Sequence, residues 1–122
     1  MAGTVRHITF DSHDAARTAE FWAAALGFEV LGEPSEAFAV VGGSAMPEGH
    51  PILMFSRVPE GKTVKNRVHL DVEIEGSVQD EVARLEALGA TRLEGKDEWN
   101  HQWTIMADPE GNEFCVSGPP QR

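Results

Sequence analysis

Val68-His69-Leu70-Asp71-Val72-Glu73-Ile74 is the stretch whose reading decides the fold, because an altered copy of it opens the chain as Val5-Arg6-His7-Ile8-Thr9-Phe10. Both alternate in the two-residue period of a half-buried strand. In the later copy Val68, Leu70, Val72 and Ile74 share one face, opposite His69, Asp71 and Glu73. In the earlier copy Ile8 and Phe10 share a face with Arg6, opposite His7 and Thr9. The histidines are 62 positions apart, and Leu26-Gly27 and Leu88-Gly89 follow them at that same offset. Ile8 with Leu70, Phe10 with Val72 and Leu31 with Leu93 match likewise. Self-similarity at a fixed offset means repeated structural units. The chain reads as two modules, about 1–62 and 63–122.

Working outward, each strand leads into a helix. Ser12 or Asp14 is placed to cap a helix over 15–26, with Ala19, Trp22, Ala23 and Leu26 on one face. Ser77 is placed to cap a second over 78–88, with Val78, Val82 and Leu85 as its apolar stripe and Asp80 and Arg84 spaced for an i,i+4 pair. Gly27 and Gly89 stand where a left-handed residue ends a helix. Short strands follow at 28–31, 37–41 and 52–58 in the first module, and at 91–94, 103–106 and 113–117 in the second. Asp108-Pro109-Glu110-Gly111-Asn112 is turn chemistry between the last two, and Pro59-Glu60-Gly61-Lys62 reads as the linker. The pattern is β-α-β-β-β, twice: an α+β fold of two tandem modules.

Composition sets the outer bounds. The chain has 122 residues, enough for one compact domain with its own core. It carries 20 acidic against 10 basic residues, and a net charge of -10 repels phosphate backbones, which argues against nucleic-acid binding. Apolar runs are too short for a membrane span. Cys115 is the single cysteine, so no intrachain disulfide can form. With no signal-peptide pattern at the N-terminus, the expectation is a cytoplasmic protein.

Phe21-Trp22 followed by Leu26-Gly27-Phe28, then Val68-His69-Leu70-Asp71-Val72, then Asp108-Pro109-Glu110-Gly111-Asn112-Glu113-Phe114 resemble, in order and spacing, the vicinal oxygen chelate superfamily of glyoxalases, bleomycin-resistance proteins and dioxygenases. The similarity covers nearly the whole chain and is greatest to the short glyoxalase-like proteins. It implies two curved mixed sheets around a central cavity that holds a small molecule, and a homodimer. It also implies that His7 and His69 occupy the first-strand metal-ligand positions.

The sequence departs from the superfamily at the last-strand positions, where metal-binding members commonly carry a carboxylate. These fall on Cys115 and near Met54, with Ser56 next on the same face. His7, His69 and Cys115 could instead form an N/N/S site with one open position, which requires Cys115 as thiolate. Asp71 is available as a further ligand or as an orienting partner. The cofactor expectation is therefore open between none and a divalent metal: Zn, Fe, Mn or Ni.

The expected ligand-binding set is His7, Met54, His69, Asp71, Trp103 and Cys115. Two histidines at equivalent places in a repeat, each opposite an apolar face, favour a cavity over isolated core histidines. Residues i and i+2 on a strand lie about 7 Å apart, so His69 and Asp71 are expected to make two contacts to one ligand rather than a direct mutual bond. Cys115 reads equally as an inert buried thiol. Trp22 belongs to the core, whereas Trp103 lines the cavity or packs under the helix. Trp99 and Trp103 flank His101, which with His13 and His50 falls in loops or at strand ends, where exposure is expected. Gly61-Lys62-Thr63 ends like a phosphate-binding loop, but Ser56 stands where the first glycine is required.

Three functions compete. The first is a small-molecule-binding protein of the bleomycin-resistance kind, free of metal, for which aromatic residues supply stacking surface. The second is an enzyme: a metal-dependent lyase, isomerase or dioxygenase on a vicinal-oxygen substrate, or a metal-free acid/base catalyst using His69 and Asp71. The third is a regulatory or interaction domain.

Overall fold

A computed structural model describes residues 1–98 and 101–119. The elements run β1 (His7–Ser12), α1 (Ala15–Leu26), β2 (Glu29–Leu31), β3 (Phe38–Gly42), β4 (Ile52–Arg57), β5 (Leu70–Glu73), α2 (Val78–Leu88), β6 (Thr91–Glu98), β7 (His101–Ala107) and β8 (Glu113–Ser117). They form two four-stranded mixed sheets, ordered β1-β4-β3-β2 and β5-β8-β7-β6. In each, the first strand lies parallel to the last and the other pairs are antiparallel. The result is two α+β modules of one topology. The chain divides into compact units at Met1–Gly61 and Lys62–Arg122. Lys62 falls with the second because its ammonium donates to Val64 O and to Glu113 Oε1 on β8.

Local chemistry accounts for both helices. Asp14 caps α1 by accepting from Arg17 N, and Ser77 caps α2 by accepting from Asp80 N. Asp80 and Glu81 in the first turn of α2 suit the positive end of its dipole. Gly27 and Gly89 end the helices at φ 71° and 119°, where a Cβ would be strained. Arg84 pairs with Glu81 rather than with Asp80. Its Nε and Nη2 reach the two Glu81 oxygens at 2.8 and 2.7 Å, a bidentate fork that a single contact to Asp80 would not match.

Each sheet buries one face under its own helix. In the first unit α1 brings Phe21 and Trp22 onto Leu53, Phe55, Ala39 and Val41, all buried. Phe10 joins this cluster, with ring centroids 5.7 Å from Trp22 and 5.0 Å from Phe55. In the second unit Val82 and Leu85 meet a sheet face of Met106, Phe114 and Val116. The opposite face of each sheet is left to the alternate residues. Among the described residues no helix is long and apolar enough to cross a membrane.

Element ends differ from the sequence reading where the pairing partner sets them. β1 begins at His7, because its parallel partner β4 begins at Ile52. β5 begins at Leu70, opposite Phe114 in β8, leaving Val68 exposed. β6 and β7 are longer than their apolar cores because they pair with each other from Thr91–Ala107 out to Glu98–His101, past a bulge between Arg92 and Glu94.

Candidate functional site

The hairpin that carries the second unit's site is built first. Asp108 is buried, and its Oδ1 accepts from Glu110 N at 2.9 Å and Asn112 N at 3.0 Å, while Oδ2 accepts from the Asn112 amide at 2.9 Å. Backbone bonds from Asp108 N to Asn112 O and from Gly111 N to Asp108 O close the same turn. This fixes the register of β7 against β8, so Ile105 faces Cys115 and Trp103 faces Ser117. On the other side of β8, Cys115 pairs with Asp71 and Ser117 with Glu73. One row across the sheet therefore reads Glu94, Ile105, Cys115, Asp71. It lies on the face opposite the buried Met106 and Phe114.

His69 stands one residue before β5 and turns onto this row. Its Nδ1 donates to Asp71 Oδ1 at 3.1 Å, with the two side chains 44% and 72% exposed. This overturns the expectation that the two would not bond directly. That expectation assumed a strand through His69; outside the pleat the imidazole is free to lean along the chain. The bond leaves Nε2 as the free ring nitrogen. Cys115 is half-buried and donates to Asp71. Burial pushes its thiol up, and the Asp71 charge and hydrogen bond push it further, against a lowering from Lys65. The thiol is therefore protonated at neutral pH, and its environment does not make it a nucleophile.

One donor atom from each of His69, Asp71 and Cys115 lies within 4.8 Å of the others. A tetrahedral zinc ion with bonds of about 2.0–2.3 Å holds its donors roughly 3.5 Å apart. Modest rotation of His69 and Asp71, both exposed, closes that difference. The N/O/S set fits a borderline ion such as zinc better than magnesium.

A strap holds the approach to this cluster. Glu113, at the start of β8, accepts from Lys62 Nζ at 3.1 Å and from Asn66 N at 3.0 Å, tying residues 62–66 to the sheet just ahead of His69. Burial alone would raise the Glu113 carboxyl, but the Asn66 N–H and the Lys62 ammonium outweigh it and hold it below the usual range.

The other sequence-selected residues fall in the first unit or beside this cluster. His7 and Thr9 share the open face of β1, and Met54 stands opposite Thr9 on β4, half-buried. Trp103 is half-buried and, two residues before Ile105 on β7, shares the face of Cys115. His50 is engaged by Pro51 O at 2.7 Å and by the Phe28 ring at 5.0 Å. Trp99 lies outside the described residues. Sequence reasoning missed the Glu113 strap and the Lys65 influence on Cys115. Both come from the linker, which carries no periodic signal.

The glyoxalase-like domain family matches residues 7–117. The chain belongs to the glyoxalase-like domain family. Solved structures agree on the fold. A glyoxalase/bleomycin resistance protein/dioxygenase family enzyme from Burkholderia phytofirmans PsJN superposes with a TM-score of 0.76 at 16% identity, over 95% of this chain and 98% of that one. Lactoylglutathione lyase from Agrobacterium tumefaciens gives 0.62 at 13% identity, over 98% and 96%. TioX from Micromonospora sp. ML1 gives 0.61 at 21%, over 95% and 98%. No curated protein matches the sequence. At these identities the likeness of the glyoxalase-like chain to solved structures is one of fold. The site must be argued from its own residues.

Proposed function

We propose that this glyoxalase-like protein binds a small organic molecule at the open face of its second sheet, with His69, Asp71 and Cys115 as polar contacts. The observation that carries the reading is the His69–Asp71–Cys115 cluster, three polar groups converging on a sheet face whose reverse is apolar core. His69 offers a ring nitrogen oriented by Asp71, and Cys115 offers a neutral S–H. Such groups fix the orientation of a ligand whose apolar body supplies the affinity. On this reading the protein is a cytoplasmic homodimer.

The cluster also favours a second reading. A divalent ion held by His69, Asp71 and Cys115 would supply a Lewis acid at a vicinal-oxygen substrate. Asp71 would then orient His69, and Cys115 would have to give up its proton.

One experiment separates the two. Tag-free protein and the Cys115→Ser and His69→Ala variants are titrated with Zn²⁺ by calorimetry. A library of small aromatic and vicinal-oxygen compounds is then screened by thermal shift. Ligand hits that survive chelator and weaken in His69→Ala support the binding protein. One equivalent of tightly held Zn²⁺, lost in both variants, with hits only in its presence, supports the metal-dependent reading instead.

A further inference from the structure

The helix face of the second sheet is not sealed as that of the first is. α1 lies flush on its sheet at its N-terminal end, where Ala15, Thr18 and Ala19 are fully buried. α2 begins with Val78, only half-buried, and buries just Val82 and Leu85. Beneath its first turns a cleft of about 490 Å³ opens between α2, β6 and β7.

The bulge in β6 gives this cleft its chemistry. Before it, Arg92 pairs with Met106; after it, Gly95 pairs with Thr104; both partners are buried on the α2 side. The extra residue thus puts Arg92 and Gly95 on one face, as bulges do when they re-aim a side chain. Gly95 leaves the floor bare, and the guanidinium lies across it: a Cβ built on Gly95 would stand 2.6 Å from Arg92 Nη2. Lys96 is neutralised by Glu94 at 2.8 Å. Among the described residues Arg92 has no acidic partner, in a chain of net charge -10. Val78 and Val82 wall the α2 side, with the Gln79 and Gln102 amides at the rim.

We propose that this cleft is a second ligand site, taking a small organic monocarboxylate with an apolar or aromatic body. A planar guanidinium presents two parallel N–H donors that match a carboxylate. One cation without an acidic partner among the described residues balances one negative charge, which disfavours a phosphate dianion. The valines receive the apolar body, and the volume is that of a small-molecule pocket. The proposal is independent of the His69–Asp71–Cys115 cluster, which occupies the opposite face of the sheet.

The test uses the full chain with 3-phenylpropionate as probe, its neutral amide and phenyl phosphate as comparators, and calorimetry with ¹⁵N-amide shifts as readouts. Expected is binding of 3-phenylpropionate at roughly millimolar Kd or tighter, as its size allows. Amide shifts should centre on Val78–Val82, Gly95 and Thr104. Arg92→Gln should weaken binding by about 10-fold or more. Gly95→Ala, which displaces the guanidinium, should weaken it comparably, whereas His69→Ala should leave it unchanged. Urea unfolding of each variant shows that it is folded. The proposal is overturned by no binding at roughly ten times that concentration, by equal binding in Arg92→Gln, by equal affinity for the amide, by tighter binding of phenyl phosphate, or by shifts centred on Cys115.

Discussion

Replacing Asp108 by alanine tests the link between the hairpin and the site. The carboxylate accepts three hydrogen bonds, two from backbone N–H groups and one from the Asn112 amide, from a buried position. Hydrogen bonds to a charged group contribute about 1.5–3 kcal/mol each. Glu110 and Asn112 are half-buried, so water reaches their N–H groups once the turn loosens, which places each loss at the low end. Removing a buried charge also returns part of its desolvation cost. The expected loss is about 3–4 kcal/mol, a large share of the roughly 5–15 kcal/mol that holds a domain folded. Asp108→Asn keeps an oxygen for the two backbone donors but turns an amide toward the Asn112 amide; it should cost about 1–2 kcal/mol. Urea unfolding followed by tryptophan fluorescence reads both, with an unchanged m-value certifying that the unfolded state is not what moved. The register of Cys115 rests on the same turn, so alkylation of Cys115 by iodoacetamide should rise in Asp108→Ala under native conditions. A loss below about 1 kcal/mol with unaltered alkylation would refute the reasoning, since the turn would then hold without its carboxylate.

Asp71→Asn should shift the iodoacetamide-rate profile of Cys115 to lower pH, because removing the Asp71 charge takes away one cause of the raised thiol. An unmoved profile would show that burial alone sets it. Glu113→Gln should destabilise the protein at pH 7 by about 1–2 kcal/mol, through loss of a charge-assisted bond to Asn66 N and the Lys62 pair. Because the folded carboxyl lies below its unfolded value, that stabilisation is present above about pH 4.3 and is lost as pH falls through the folded value, so the gap between wild type and variant should close in acid urea titrations. Trp22→Ala should cost about 3–5 kcal/mol in thermal or urea unfolding, since the ring is buried against Phe10 and Phe21.

What was legible in the sequence was whatever a local rule decides. Both helices have their expected bounds, because Asp14 and Ser77 are caps and Gly27 and Gly89 are left-handed stops. The equivalence of His7 and His69 was visible as a repeat. What was not legible depended on partners across the sheet. Nothing in Thr91–Glu98 marks a bulge, since Gly95 and Leu93 each have ordinary strand readings. The His69–Asp71 bond was misjudged because the strand begins two residues later than its alternation suggests, at Leu70 rather than Val68. Glu113 looked like hairpin, and its partners Lys62 and Asn66 are far from it in sequence.

The bulge sets Arg92 and Glu94, two residues apart in sequence, on opposite faces of β6. Without the bulge, strict alternation from Glu94 back along β6 would put Arg92 on the same face as Glu94, Cys115 and Asp71, where it would pair with carboxylates. With it, the acids and His69 remain on the open face and Arg92 falls on the α2 side. The first unit offers no such division: α1 seals its sheet with Trp22 and small residues, and β2 pairs with β3 without interruption over Glu29–Leu31. The repeat thus explains the shared framework, and the departure from it at Arg92–Glu94 explains why a cleft with its own charge belongs to the second module. Deleting Leu93 would remove the bulge and leave Arg92 directly before Glu94, still on the opposite face, so the placement of the arginine should survive a straightened strand.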